Sequence, residues 1–153
     1  MVVVNGPSGA GKSTVLAALA ASSSQGWVLF DEPVMGAVDQ AYLIWRDRAP
    51  QLHRGFLDAM AALARAGNRV ALSAAGHPAA LIDEVFSGVP TLLIGLDCDV
   101  DTLRERERGR DGRWGGLVAA SLSVHDGWQY DARFDTAAVA AQDIAAWILR
   151  HTC

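Results

Sequence analysis

The segment Gly6-Pro7-Ser8-Gly9-Ala10-Gly11-Lys12-Ser13 follows directly on Val2-Val3-Val4-Asn5 and runs directly into a stretch with Leu and Ala at helical spacing. The spacing G-x-x-x-x-G-K-S, set between a β-branched run and a helical pattern, defines a strand, a glycine loop and a helix as one unit. Backbone amides of such a loop point inward, and the positive end of the following helix lies behind them, so the loop cradles phosphate. Glycines permit the curvature and the close approach. Gly6, Pro7, Ser8, Gly9, Ala10, Gly11, Lys12 and Ser13, with Thr14, are therefore assigned to a nucleotide, with ATP expected. Lys12, the only lysine in the chain, is expected to reach the β- and γ-phosphates, and the Ser13 hydroxyl to be a ligand of Mg²⁺. The competing reading is a Gly-rich turn ahead of a capped helix, and the strand-loop-helix context speaks against it.

Short apolar runs alternate with helical periodicity along the rest of the chain, the arrangement of βαβ units and a parallel sheet. Strands are expected at Val2 to Asn5, Trp27 to Phe30, Arg69 to Ser73, Thr91 to Leu96 and Ala132 to Phe134. The first, third and fourth are nearly continuous Val/Leu/Ile runs and should be central, covered on both faces. Helices are expected at Lys12 to Ala21, Val34 to Trp45, Leu52 to Ala66 and Ala138 to Arg150, with Gly67-Asn68 as a stop signal. At 153 residues, with 51% hydrophobic and 20% charged side chains, one core is expected. The fold class is α/β: a three-layer P-loop NTPase fold, a five-stranded parallel sheet flanked by helices, in a single domain spanning 1–153. Val100 to Leu122 is Gly-punctuated and Arg-rich, and reads as a mobile flap whose lid covers approximately 104–122.

A formal charge of −4 argues against a general nucleic-acid or membrane-surface binder. No basic leader and no run long enough to span a bilayer is seen, so a cytoplasmic location is expected. Cys98 and Cys153 give no disulfide framework, and His53, His77, His125 and His151 show no metal spacing.

In open α/β sheets ligands sit at the carboxyl ends of the strands, which brings in Asp31 and Glu32 after the second strand. An Asp at that edge can accept the proton of an attacking hydroxyl and hold it in line with the γ-phosphorus. A turn or helix cap is the equally weighted alternative. The segment from Arg104 to Arg113 offers guanidinium groups that a closing flap would bring to a transferring phosphoryl group. A solvated helix face laced with Glu/Arg pairs fits the same alternation.

Arg104-Glu105 through Arg108-Gly109 and Asp111, then Val124-His125-Asp126-Gly127, Tyr130-Asp131 and Phe134-Asp135-Thr136, occur in an order far rarer than a glycine loop alone. On these residues the chain resembles the chloramphenicol O-phosphotransferase-like proteins, small P-loop kinases. Ala61-Ala62-Leu63-Ala64-Arg65-Ala66-Gly67 before a strand adds to the likeness. The resemblance implies ATP as donor, a hydroxyl of a small neutral molecule such as chloramphenicol as acceptor, an aspartate base at Asp31, and lid arginines at Arg108 and Arg113. Two departures stand out. Ser73 occupies the end of the third strand, where the resemblance would place paired acids, and the stretch from Asp31 to Leu52 is short for an acceptor pocket.

Asp31-Glu32-Pro33-Val34 also looks like the Glu-Pro-Val stretch of deoxynucleoside kinases, which would make Glu32 the base. A regulatory ATP-binding module is a further alternative, whereas a GTPase is excluded because its Asn-Lys-x-Asp stretch needs a second lysine. Met35, Tyr42, Leu43, Ile44 and Trp45 are candidate acceptor-pocket walls. Arg46, Arg48 and Arg54 could instead clamp an acceptor phosphate or carboxylate. Trp27, Trp147 and Tyr130 read as packing, His125 as a turn residue, and Asp135 and Thr136 as caps.

Overall fold

The structure is a computed structural model that describes residues 1–31, 49–74, 76–109 and 116–152. Its elements run β1 (Val2–Asn5), α1 (Lys12–Ser22), β2 (Val28–Phe30), α2 (Ala49–Arg65), β3 (Val70–Ser73), α3 (Ala79–Val85), β4 (Leu92–Asp97), α4 (Val100–Arg108), α5 (Leu117–Ala120), β5 (Ala132–Asp135) and α6 (Ala141–His151). Five parallel strands lie in the order β2-β3-β1-β4-β5. The strands expected to be central are central. Alternation across the pleat explains why: Val2 and Val4 enter one apolar cluster and Val3 the other, and all three are fully buried.

On one face α1 and α6 pack together, with Val15, Leu16 and Leu19 of α1 against Ile144 and Ile148 of α6 and Ile94 and Leu96 of β4. Leu103 of α4 and Val118 of α5 join this cluster. On the other face Leu57, Met60 and Ala61 of α2 and Ile82 and Val85 of α3 cover Val3, Val70 and Leu72. The α2 pattern repeats at three and four residues, which places one apolar stripe on the sheet.

Several boundaries differ from the sequence reading. α2 begins at Ala49 instead of Leu52, and β4 ends at Asp97, paired with Asp135. α6 begins at Ala141 instead of Ala138, because the Asp135 carbonyl accepts the amides of Ala138 and Val139 in a turn, and its carboxylate accepts that of Ala137 at 2.9 Å. α3 was not anticipated: it is seven residues long and follows Pro78, too short for a clear periodic signal. The expected helix Val34 to Trp45 lies outside the described residues.

The stretch read as a flap contributes packed structure. Asp99 caps α4 by accepting the Thr102 amide at 2.8 Å, and Leu103 is 1% exposed. Glu107 accepts the Val118 amide at 3.1 Å, tying α4 to α5. Residues 110–115, with Arg113, lie outside the described residues.

Candidate nucleotide and acceptor site

β1 ends beneath the loop that starts α1. Gly6 lies so close to β4 that a Cβ there would come within 2.6 Å of the Leu96 carbonyl oxygen, a contact no side chain tolerates. Gly9 and Gly11 take φ values of 88° and 91°, which curl the loop around its own amides. Lys12 is 8% exposed and folds back across the loop, donating to the carbonyl oxygens of Gly6 at 2.8 Å and Pro7 at 3.1 Å. Its ammonium therefore lies over the loop it belongs to. Ser13 and Thr14 are exposed in the first turn of α1.

A cleft of about 230 Å³ opens beside the loop, bounded by Gly9, Gly11, Thr14, Arg106, Thr136 and Val139 among others. Arg106 of α4 joins its two sides. Nη1 donates to the Gly9 carbonyl at 3.0 Å and to Thr136 Oγ1 at 3.4 Å, and Nη2 donates to the Thr136 carbonyl at 3.3 Å. Thr136 in turn is anchored on the Asp97 carbonyl through its amide, at 2.9 Å. Sequence reasoning missed Arg106 and named Arg108. The signal was present: Arg106 stands three residues after Leu103, the buried residue of α4, and so shares its face. Arg108 is exposed and turns back to donate to the Arg104 carbonyl at 3.3 Å.

The family-like segment after α5 is fastened to the base of the loop. Ser121 Oγ accepts the Ser8 amide at 2.8 Å, and the fully buried Asn5 donates to the Val124 carbonyl at 2.7 Å and to Tyr130 Oη at 2.8 Å. Tyr130 Oη lies 2.7 Å from His125 Nδ1, and His125 Nε2 stands 3.5 Å from Asp97 Oδ1. Asp97 also accepts from both Nε and Nη2 of Arg133. Burial lowers the pKa of His125, partly opposed by the Asp97 charge, and burial raises that of Tyr130. His125 is thus held by side chains, Tyr130 above all, and not by a turn backbone alone. Trp147 packs edge-on against Phe134 at 5.5 Å, as a core aromatic does.

At the carboxyl edge of β2, Asp31 follows Phe30 and is partly buried. Ser73 ends β3 at 8% exposure, and its Oγ has no hydrogen-bond partner among the described residues. Arg54 does not stand ready for an anion. Its Nε contacts both Asp58 oxygens at 3.1 Å and its Nη1 contacts Glu84 at 2.9 Å, joining α2 to α3. Glu32 and the proposed pocket residues Met35, Tyr42, Leu43, Ile44, Trp45, Arg46 and Arg48 lie outside the described residues. Among the described residues no helix is long and apolar enough to cross a membrane, and no cluster of three potential metal ligands occurs.

A parallel sheet of this order, with the glycine loop between β1 and α1 and a cleft beside it, is the architecture of the P-loop kinases. A sugar kinase from Janibacter sp. HTCC2649 superposes with a TM-score of 0.72 at 19% identity, covering 97% of this chain and 91% of the other. The tunicamycin resistance protein of Deinococcus radiodurans gives 0.69 at 20%, covering 98% and 94%. The Mycobacterium tuberculosis APS kinase, in complex with AMPPNP and APS, gives 0.67 at 20%, covering 97% and 95%. The chain itself belongs to the chloramphenicol phosphotransferase-like protein family, whose model matches residues 1–153. No curated protein matches it by sequence.

Proposed function

We propose that this protein is an ATP-dependent O-phosphotransferase that acts on a hydroxyl group of a small molecule, with a compound of the chloramphenicol kind as the first acceptor to test. The observation that carries the reading is the joined cleft: a glycine loop roofed by Lys12 and continued, through the Arg106 clamp, into a pocket at the head of α6. Triphosphate would lie in the loop, and the adenine beside Arg106 and Val139. The residues present fit Mg²⁺, which would neutralise phosphate charge when bound. Ser13 offers a hydroxyl in the first turn of α1, and the unpartnered Ser73 hydroxyl suits contact through a metal-bound water better than direct ligation.

Asp31 is proposed to accept the proton of the acceptor hydroxyl as its oxygen bonds to the γ-phosphorus and the bond to the β-phosphate oxygen breaks, leaving ADP. Arg108, which would leave the Arg104 carbonyl to do so, and Arg113 are proposed to supply positive charge to the transferring group from the lid. The test is an ADP-release assay with Mg²⁺-ATP over antibiotics, nucleosides, nucleotides and sugar acids, followed by mass spectrometry of the product. Lys12→Ala is expected to eliminate transfer in a folded protein, because its ammonium serves phosphate. Near-wild-type turnover of that variant would reject the assignment. Turnover confined to nucleosides or nucleotides would favour Glu32 as base, and no acceptor-dependent turnover at all would favour a regulatory module.

A further inference from the structure

At the carboxyl edge of β2 and β3, two ring contacts join α2 to the strand ends. Phe56 meets Phe30 at 5.8 Å between centroids, and His53, three residues earlier on the same helix, meets His77 edge-on at 4.9 Å. Residues three apart share a helix face, so His53 and Phe56 continue outward the stripe whose inner part buries Leu57 and Met60. His77 reaches this place through a tight turn. Gly76 takes φ 82°, and the His77 amide closes on the Ala74 carbonyl at 2.8 Å. Both imidazoles remain partly exposed, on the sheet edge where Asp31 lies.

The electrostatics of this wall are specific. Arg54, the nearest guanidinium in sequence, is committed to Asp58 and Glu84. Burial, reinforced by the neighbouring His53, pushes the pKa of His77 down to about 4. At neutral pH its ring then carries one N–H donor and one acceptor nitrogen and no charge. Such a surface satisfies hydroxyl or carbonyl groups. The neutral His77 ring brings no positive charge to offset the desolvation of a phosphate or carboxylate.

We infer that His53 and His77, flanked by Phe30 and Phe56, form the acceptor-recognition wall of the site and select a neutral hydroxyl- or carbonyl-bearing acceptor against an anionic one. The inference rests on the kinase reading above and adds the residues that determine acceptor class. Its test compares wild type with His77→Leu, His77→Gln and His77→Arg, using chloramphenicol and thymidine as neutral acceptors and shikimate and gluconate as anionic ones. Binding of a fluorescent ATP analogue is measured separately. Wild type is expected to turn over a neutral acceptor and neither acid. His77→Leu should raise the acceptor KM about tenfold, the loss of roughly one hydrogen bond, with kcat and nucleotide affinity changed much less. His77→Gln, which restores a neutral donor and acceptor, should recover most of that loss, and His77→Arg should shift preference toward gluconate. Preferred turnover of either acid by wild type, or an unchanged acceptor KM in folded His77→Leu, would each overturn the wall alone, whereas no acceptor-dependent turnover at all, even with intact nucleotide binding, would overturn the kinase reading as well. Failure to bind the nucleotide analogue would overturn the kinase reading and the wall with it.

Discussion

Replacing Arg106 with Ala separates the nucleotide clamp from the rest of the lid arginines. The guanidinium makes one contact of good length, 3.0 Å to the Gly9 carbonyl, and two long ones, 3.3 and 3.4 Å, to Thr136. A hydrogen bond from a charged donor contributes about 1.5–3 kcal/mol, and lengthening weakens it steeply. A partly exposed group with one good contact belongs at the lower end, about 1.5 kcal/mol, or roughly tenfold in an equilibrium constant. Without the clamp, the loop and the β5–α6 turn are no longer held at a fixed separation, and nucleotide binding has to supply that ordering itself. Arg106→Ala should therefore weaken AMPPNP binding about tenfold in isothermal titration calorimetry. The fold should survive, because Leu103 continues to hold α4 in the core. Arg108→Ala is the control, since its side chain donates to the Arg104 carbonyl and does not line the cleft beside the loop. It should leave AMPPNP affinity within about twofold. An Arg106→Ala affinity within twofold of wild type, or an equal loss in Arg108→Ala, would refute the reasoning.

Asp31→Asn should lower turnover by about 10²-fold or more while nucleotide affinity holds, as removal of a general base does; a larger loss in Glu32→Gln, read in the same assay, would move the base. Arg108→Ala and Arg113→Ala should each reduce kcat more than nucleotide affinity, because charge on the transferring group peaks in the transition state; equal losses in both would make them ground-state anchors. Folding stability should fall as pH drops from 6.5 toward 4, since unfolded His77 binds a proton there and the folded residue, with a pKa of about 4, does not. After allowance for its partial exposure to solvent this amounts to about 1–2 kcal/mol. Urea titrations of wild type and His77→Gln at several pH values measure it, and identical pH slopes for the two proteins would contradict the shift.

Much of this protein is written in short stretches of its chain. The glycine loop is contiguous, and its conformation follows from glycine torsions and the strand and helix that flank it, so Gly6 to Thr14 were legible without any partner. The parallel sheet and its central strands were equally legible, because burial on both faces demands the nearly continuous apolar runs of β1, β3 and β4. Where the sequence reading drifted, at the start of α6 and at α3, the cause was local hydrogen bonding by Asp135 and a helix of two turns, neither of which leaves a periodic trace.

Tertiary structure alone decided which polar side chains meet. Composition offered a row of arginines of equal standing from Arg104 to Arg113, and only the burial of Leu103 against the sheet turned Arg106 to the loop and Arg108 to solvent. His53 and His77, apart in the chain, touch because α2 crosses the end of β3 and Gly76 folds the following turn back toward it. Arg54 looked like an anion clamp until α3, unseen in the sequence, supplied Glu84 as its partner. The physical reason is common to all of them. Backbone propensity and hydrophobic period act over a few residues, whereas the partner of a polar group is set by where distant elements come to rest.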